Sequence, residues 1–270
     1  MAGILCIQTK PIIDNKEQNL KNIEQIIAQN SDKQLDLVVF PEFFSTGISD
    51  KQFIDFPEDE NGGNTIEFIQ KIAHKYRTNI IAGTVIEKTN DKYYNTSFAI
   101  NRKGETIAKY RKIHLYNYLG GNEGKLITPG EKEVIVEFDF GKVGMSICFD
   151  IRYPLHYKKL VQKGAQIIVS PTAWIIPNEV YENPQTLEYA QEMWISMVRT
   201  RAYDNMVYLA ICNLTGHSCH NQSAIGNSLI ISPTAEVLAN AKNKECAIYT
   251  EIDLKTTDFL KSIYPIANID

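Results

Sequence analysis

The chain has 270 residues, 44% of them hydrophobic, and a formal net charge of −4. This apolar content is sufficient for one large core, and an acidic chain without a basic run of five residues argues against nucleic-acid or anionic-membrane binding. No apolar run approaches the roughly 20 residues of a membrane span, and the first residues lack the basic flank of a signal peptide, so we expect a soluble, cytoplasmic protein.

The first half of the chain alternates between predicted strands and helices. Residues 3–7 form an apolar β-type run, and a capping box at residues 14–17 precedes apolar residues at helical spacing. The mostly apolar run at residues 35–40 is typical of a buried strand. A second helix is predicted at residues 65–76, and it is followed by a strand at residues 79–86.

The second half begins with a predicted β-hairpin, in which residues 94–100 and 106–110 are joined by the turn sequence Asn-Arg-Lys-Gly. Later strands are predicted at residues 134–138, 142–148, 166–170, 206–212, 227–232 and 247–252, and helices at residues 155–163 and 186–204. Strands and helices alternate, hairpins are present, and no linker or repeat interrupts them. We therefore predict one α/β domain over residues 1–270.

The five cysteines are odd in number and widely scattered, which argues against a disulfide framework in a cytoplasmic chain. Three of them lie in apolar runs, as small buried residues do: Cys6, Cys212 and Cys246. Cys219 lies between His217 and His220, but this arrangement without a matching cluster is more typical of a polar loop than of a metal site. The chain has no dinucleotide fingerprint, P-loop or metal-binding helix motif, so we expect neither a cofactor nor a metal.

Three predicted strands each end in a reactive side chain. Glu42 follows the first, Lys112 the second and Cys148 the third. Open α/β sheets bind ligands beyond the carboxyl ends of their strands, so these groups could share one crevice. Taken singly, each has a plain alternative: a solvated loop carboxylate, a surface charge and a core cysteine.

The sequences around these residues resemble the nitrilase superfamily of carbon–nitrogen hydrolases, in its amidase-like branch. The matching motifs are VFPEFF at 39–44, YRKIHL at 110–115, GMSICFDIRYP at 144–154, RTRAYDN at 199–205, GNS at 226–228 and IDL at 252–254. The resemblance implies a four-layer αββα sandwich and a catalytic triad of Glu42, Lys112 and Cys148. It also implies a fourth residue, Glu123, that orients the substrate amide or holds Lys112; the alternative is a glycine-rich surface loop.

Elementary chemistry explains why these residue types are needed. An unperturbed thiol is only a few per cent ionised at neutral pH, so Cys148 needs a base, and Glu42 could take its proton. Lys112 and the backbone N–H of Phe149 could stabilise the oxyanion that forms on attack. Glu42 would then protonate the departing amine and activate water to hydrolyse the thioester.

The candidate substrate-binding residues are Phe149, Arg152 and Trp174. Arg152 could bind a substrate carboxylate bidentately, or it could pair with Asp150. Trp174 could shape the acyl side of the pocket, or it could pack in the core. We also hypothesise that residues 175–185 form a lid or pocket wall that sets substrate size.

Hydrolysis of a linear amide, including ω-amides of small acids, is the first choice of function. N-carbamoyl compounds are second and nitriles third.

A Cys–His hydrolase is a rival chemistry, with His114 and His156 available besides the loop histidines, although His156 on a helix is more typical of packing. A non-catalytic scaffold is the other alternative, and slow alkylation of Cys148 by iodoacetamide would favour it. The resemblance further implies at least a homodimer, with the helix at residues 186–204 as a contact.

Overall fold

Two large mixed β-sheets form the centre of the protein. The computed structural model describes residues 1–49, 55–118, 121–219 and 221–266. The strands within these residues are β1 (Ala2–Gln8), β2 (Leu37–Val39), β3 (Asn79–Ile81), β4 (Val85–Thr89), β5 (Lys92–Ile100), β6 (Thr106–Arg111), β7 (Val134–Phe138), β8 (Gly141–Met145), β9 (Ile167–Thr172), β10 (Ile175–Pro177), β11 (Tyr208–Asn213), β12 (Thr215–His217), β13 (Gln222–Ile225), β14 (Leu229–Ile231), β15 (Val237–Asn240) and β16 (Cys246–Ile252).

The helices lie mainly outside these sheets. They are α1 (Lys16–Gln29), α2 (Gly63–Tyr76), α3 (Glu123–Leu126), α4 (Pro154–Gln162), α5 (Asn178–Glu182), α6 (Pro184–Asn205) and α7 (Leu254–Ile263), with a 3-10 helix at Cys148–Arg152. Within the ranges given above, no helix combines the length and apolar character needed to cross a membrane.

Each large sheet has parallel strands at its centre. The first has the order β16-β1-β2-β3-β5-β4 with β6 on β5, and β1, β2 and β3 are parallel. The second has the order β15-β14-β11-β9-β8-β7, in which β8, β9 and β11 are parallel. A small third sheet has the order β10-β13-β12.

Successive side chains of a strand pack on opposite faces of its sheet, and this places them in different layers of the protein. Ile4 and Cys6 of β1 belong to a core between the two large sheets, which also contains Val169 of β9. The intervening Leu5 of β1 packs on the opposite face, in a core shared with α1 and α2. A third core joins the outer face of the second sheet to α4 and α6, with Trp194 at its centre. Because successive strand side chains point to opposite faces, this pattern gives four layers, α-β-β-α, and the predicted fold class is confirmed.

Local chemistry explains where several boundaries differ from the predictions. The cap of α1 is Asn15, whose Oδ1 accepts a hydrogen bond from the Gln18 N–H at 3.2 Å, so the predicted box at residues 14–17 lies one residue too early. The predicted strand at 79–86 is two strands, β3 and β4. The turn between them contains Gly83 at φ +36°, where a Cβ would lie 2.1 Å from the Pro41 carbonyl oxygen.

The largest difference concerns the segment at residues 175–185, for which we predicted neither a strand nor a helix. It contains β10, α5 and the first residues of α6, and β10 pairs with β13 in antiparallel register. Sequence reasoning missed β10 and its partner β13 because they are only three and four residues long, which is too short for a strand pattern to stand out. The segment is therefore built of a strand and helices.

Candidate active site

The three predicted reactive residues meet where the two large sheets face each other. Glu42 follows β2 and Lys112 follows β6, both in the first sheet, whereas Cys148 follows β8 in the second. All three are almost fully buried. The first sheet thus brings Glu42 and Lys112 together across 70 positions of sequence, and the face-to-face packing of the sheets adds Cys148.

Lys112 is held between two carboxylates. Its Nζ lies 2.9 Å from Glu42 Oε1 and 2.9 Å from Glu123 Oε1. Glu123 opens α3, and its second oxygen accepts a hydrogen bond from the Tyr116 N–H at 2.6 Å. Glu123 therefore contacts Lys112 rather than lying free in a surface loop. Part of the predicted glycine-rich loop, Gly120, lies outside the described residues.

Cys148 lies at a strained turn between β8 and the 3-10 helix. Its φ of +45° is in the left-handed region, which costs a non-glycine residue about 1–2 kcal/mol. Two hydrogen bonds hold the turn: the Cys148 N–H donates to Ser170 Oγ at 3.1 Å, and the Ile147 N–H donates to Asp150 Oδ2 at 2.9 Å. The strand predicted at 142–148 accordingly ends at Met145. The turn brings the thiol close enough to Glu42 for the two groups to shift each other's pKa.

The charges of the cluster shift one another's proton affinities. Burial raises the pKa of the Glu42 carboxyl; Lys112 opposes this rise, and Glu123 adds to it. Burial by itself lowers the pKa of Lys112, but Glu123 and Glu42 outweigh burial and raise it well above its usual value. Burial, and next the charge of Glu42, raise the pKa of the Cys148 thiol well above its usual value. At neutral pH the site therefore holds a charged Lys112 and a protonated thiol.

Sequence reasoning missed two groups that bind Glu42. The Asn95 side chain donates from Nδ2 to Glu42 Oε1 at 2.8 Å, and the Ala173 N–H donates to Glu42 Oε2 at 3.0 Å. Asn is uncommon in strands, so a buried Asn in β5 was the available signal for the first. No sequence signal identifies a backbone N–H as a site donor.

The three candidate substrate-binding residues lie beside Cys148 along the chain or in space. Phe149 packs edge-on against Tyr116, with ring centroids 5.3 Å apart. The exposed Arg152 guanidinium lies 5.2 Å above the ring of Trp174. Trp174 is half-buried, and its ring lies 4.9 Å from that of Trp194, so it also packs in the helix-side core.

The alternative in which Arg152 pairs with Asp150 is wrong. The buried Asp150 carboxylate accepts hydrogen bonds from Tyr110 Oη at 2.7 Å and from the His114 N–H at 3.0 Å, and His114 Nδ1 lies 2.7 Å away. Across the described parts of the chain, Arg152 forms no ion pair with Asp150. Its guanidinium is left facing the Trp174 ring and solvent.

The histidines do not form a Cys–His pair in the described residues. His114 binds Asp150, and His217 Nδ1 lies 2.7 Å from Ser223 Oγ. His156 is buried in α4 and packs on Tyr110, in agreement with a packing role. His220 lies outside the described residues.

The Sγ of Cys219 donates a hydrogen bond to the Gln222 carbonyl oxygen at 3.2 Å. Over residues 1–49, 55–118, 121–219 and 221–266, no group of three or more His, Cys, Asp or Glu side chains could hold a metal ion.

Comparison with known proteins places this chain in a family. A profile described as carbon–nitrogen hydrolase matches residues 6–262. A 2-oxoglutaramate amidase from Bacillus subtilis is 31% identical over 263 residues, which cover 97% of this chain and 95% of that protein. Omega-amidase NIT3 from Saccharomyces cerevisiae is 29% identical over 275 residues, which cover 97% and 91% respectively.

Solved structures agree with the sequence comparison. The Saccharomyces cerevisiae protein Nit3, a member of branch 10 of the nitrilase superfamily, superimposes with a TM-score of 0.85 at 27% identity, covering 98% of this chain and 94% of that one. A carbon–nitrogen hydrolase from Helicobacter pylori shares the fold, with a TM-score of 0.87 at 24% identity and coverage of 100% and 95%. The chain belongs to the carbon–nitrogen hydrolase family of the nitrilase superfamily.

Proposed function

We propose that the protein hydrolyses a small linear amide to a carboxylic acid and ammonia, with Cys148 as the nucleophile. The observation that carries this proposal is the buried cluster in which Lys112 bridges Glu42 and Glu123 while the buried Cys148 thiol lies beside Glu42. A nucleophile beside a base, which is itself oriented by other groups, is the recurring arrangement of covalent catalysis. The amidase names of the two relatives support an amide over a nitrile or a carbamoyl compound.

The first step is transfer of the thiol proton to Glu42 as sulfur attacks the amide carbon. Because burial raises the pKa of both Cys148 and Glu42, the resting thiol is neutral and the carboxylate retains the basicity to accept its proton. The carbonyl π electrons move to oxygen, and the Lys112 ammonium and the Phe149 N–H stabilise the resulting oxyanion.

Collapse of this intermediate breaks the carbon–nitrogen bond. Glu42 returns its proton to the departing nitrogen, which leaves as ammonia, and Cys148 carries the acyl group as a thioester. Glu42 then takes a proton from water, the hydroxide attacks the thioester, and the carbon–sulfur bond breaks as Glu42 returns that proton to the departing thiolate. One water is consumed, and one carboxylic acid and one ammonia are formed. Glu123 keeps Lys112 charged throughout, because its carboxylate raises the pKa of the ammonium.

Arg152, Trp174 and Phe149 are the proposed substrate-binding residues. The guanidinium of Arg152 has no ion-pair partner in the described residues and lies over the ring of Trp174, so it is available to a second, anionic end of the substrate. This supports an ω-amide of a small dicarboxylic acid.

Replacement of Cys148 by Ala tests the proposal. We expect ammonia release from glutaramate, the monoamide of glutaric acid, to fall by at least about 1,000-fold, with the thermal unfolding midpoint retained. Cys246→Ala, a change at a partly buried cysteine of β16, is the matched control and should leave activity unchanged. Intact-mass measurement after rapid quenching should find the acyl adduct in the wild type alone. Full activity in Cys148→Ala would refute the mechanism.

We also propose a homo-oligomer, at least a dimer, in the cytoplasm. Exposed apolar side chains at Tyr189 and Met193 lie one helical turn apart on α6, and Leu155 of the neighbouring α4 is also exposed. These support an interface across α4 and α6. The five cysteines are all free thiols, as is usual in a reducing compartment.

A further inference from the structure

Asn95 connects two members of the charged cluster. Its carbonyl oxygen accepts a hydrogen bond from the Lys112 N–H at 2.9 Å, and its side-chain Nδ2 donates to Glu42 Oε1 at 2.8 Å. The residue is fully buried in the middle of β5. One residue thus fixes the backbone that carries Lys112 and the carboxylate of Glu42.

The two oxygens of Glu42 have different surroundings. Oε1 accepts two hydrogen bonds, from Asn95 and from Lys112 Nζ. Among the described residues, Oε2 accepts one, from the Ala173 N–H at 3.0 Å. Since Oε1 has both lone pairs occupied, Oε2 is the oxygen with capacity for a proton. The Ala173 N–H also faces the thiol, since it counteracts the rise that burial causes in the pKa of Cys148.

We propose that Asn95 is a positioning residue that holds Glu42 as a carboxylate and keeps its Oε2 oxygen available to the Cys148 thiol. This inference rests on the proposed function, in which Glu42 is the base. Asn95 donates without carrying a charge, so it stabilises the anion and leaves the balance between Lys112 and Glu123 unchanged. A second cation in this place would neutralise the net negative charge that makes Glu42 basic.

The surroundings of the Asn95 Oδ1 atom indicate that Asn95 serves Glu42 rather than the packing of the core. Within the described residues, Asn95 Oδ1 is buried without a hydrogen-bond partner. Buried polar atoms are nearly always paired, and an unpaired one costs free energy. An apolar residue would avoid this cost, so the amide is better explained by what its Nδ2 does for Glu42 than by packing.

Asn95→Leu tests the proposal, because it removes the donor, keeps a similar side-chain volume and leaves the Asn95 backbone bond to Lys112 in place. Loss of a hydrogen bond to a carboxylate raises its pKa, so the acid limb of kcat/KM for glutaramate should move to higher pH by about one unit. At pH values below the acid limbs of both the wild type and Asn95→Leu, kcat/KM of the variant should be about tenfold lower than that of the wild type. Asn95→Asp has almost the same shape but adds a like charge, and its limb should move further.

A second readout does not depend on turnover. The rate at which iodoacetamide alkylates Cys148, followed by intact mass, should show the same upward shift of its acid limb in Asn95→Leu. Ser97→Ala is the matched control, because Ser97 Oγ is also buried without a partner among the described residues, two positions along the same strand face. This control should keep both profiles unchanged.

The outcomes separate the two proposals. An upward shift in Asn95→Leu but not in Ser97→Ala supports the positioning role. Unshifted alkylation and kcat/KM limbs in a folded Asn95→Leu protein overturn it, while an inactive Cys148→Ala leaves the proposed function standing. If Cys148→Ala retains activity, the proposed function and this inference both fail. If Asn95→Leu does not fold, the Asn95→Asp profiles decide by the same criteria.

Discussion

The pKa of the Cys148 thiol depends on its burial and on the charges of Glu42, Lys112 and Glu123. Two carboxylates and one ammonium leave a net negative charge beside Cys148, and burial intensifies its effect because little water screens it. The pKa of Cys148 is raised by burial and by Glu42, so the free thiol is not activated before substrate binds. Slow alkylation by iodoacetamide therefore does not favour the scaffold alternative, since a competent thiol in this site also alkylates slowly at neutral pH.

Glu87 is another buried carboxylate, and its ionisation contributes to the free energy of unfolding rather than to the reaction. Burial raises the pKa of Glu87, but hydrogen bonds from Arg111, Lys109 and Thr96 lower it to about 2, against 4.5 in the unfolded chain. Because the folded pKa is the lower one, the stabilisation is present above about pH 4.5 and is lost as the pH falls towards 2.

Glu87→Gln should therefore lower the free energy of unfolding by about 3 kcal/mol at neutral pH and flatten its decline between about pH 4.5 and 2. Urea unfolding at several pH values measures both effects. Glu137→Gln, at an exposed position of β7, is the control and should change neither. An unaltered pH slope in Glu87→Gln would contradict the assignment of this acid sensitivity to Glu87.

At the scale of elements, the segment from β10 to α5 extends directly from Trp174. Ile175 of β10 packs in a small core with Phe43 and Leu115, which adjoin Glu42 and His114 in the chain. The Asn178 side chain accepts a hydrogen bond from Ser223 Oγ at 2.8 Å, which fastens the start of α5 to β13. These contacts support the hypothesis that the segment is a pocket wall, and its pairing in the small sheet makes it a fixed one.

Replacing Asn178–Glu182 with five Gly and Ser residues should widen the pocket while leaving α6 folded, because the α6 cap at Asn183 is retained. We expect kcat/KM for adipamate, a longer monoamide, to rise relative to glutaramate. Circular dichroism and the unfolding midpoint serve as controls for folding. An unchanged ratio between the two amides would eliminate the segment as a determinant of substrate size.

The whole molecule buries its reactive cluster between two sheets and leaves apolar side chains on the outside of α6. Tyr189 is 64% exposed and Met193 is 49% exposed, although both are large and apolar enough to be buried in a core. Leu155 on the neighbouring α4 is also exposed. Exposed large apolar side chains that lie close together on one face usually mark an interface, and Tyr189 and Met193 are one helical turn apart.

Met193→Asp should place an unpaired charge in that interface and shift the protein towards the monomer in sedimentation-velocity experiments. Ile12→Asp alters an exposed apolar residue on the loop before α1, remote from α6 in the chain, and should leave the sedimentation coefficient unchanged. A wild type that sediments as a monomer at micromolar concentration would rule out the proposed oligomer.

The sequence by itself showed that Glu42, Lys112 and Cys148 follow apolar strand-like runs, because strand periodicity is written in adjacent residues. The resemblance of the surrounding motifs to the nitrilase superfamily then supplied their predicted roles. The sequence also predicted most strands and helices of the two large sheets. It failed on short elements such as β10 and on the split between β3 and β4, where three-residue strands carry too little pattern.

Only the tertiary structure decided which groups surround those residues. Asn95 lies 53 positions from Glu42 and the Ala173 N–H lies 131 positions from it, yet both donate to its carboxylate. It also decided that Asp150 binds Tyr110 and His114, and that Arg152 is left to face Trp174. A strand pattern specifies the face on which a side chain lies, but the partner on that face depends on how the sheets pair and pack. That packing is a property of the whole chain and not of any segment.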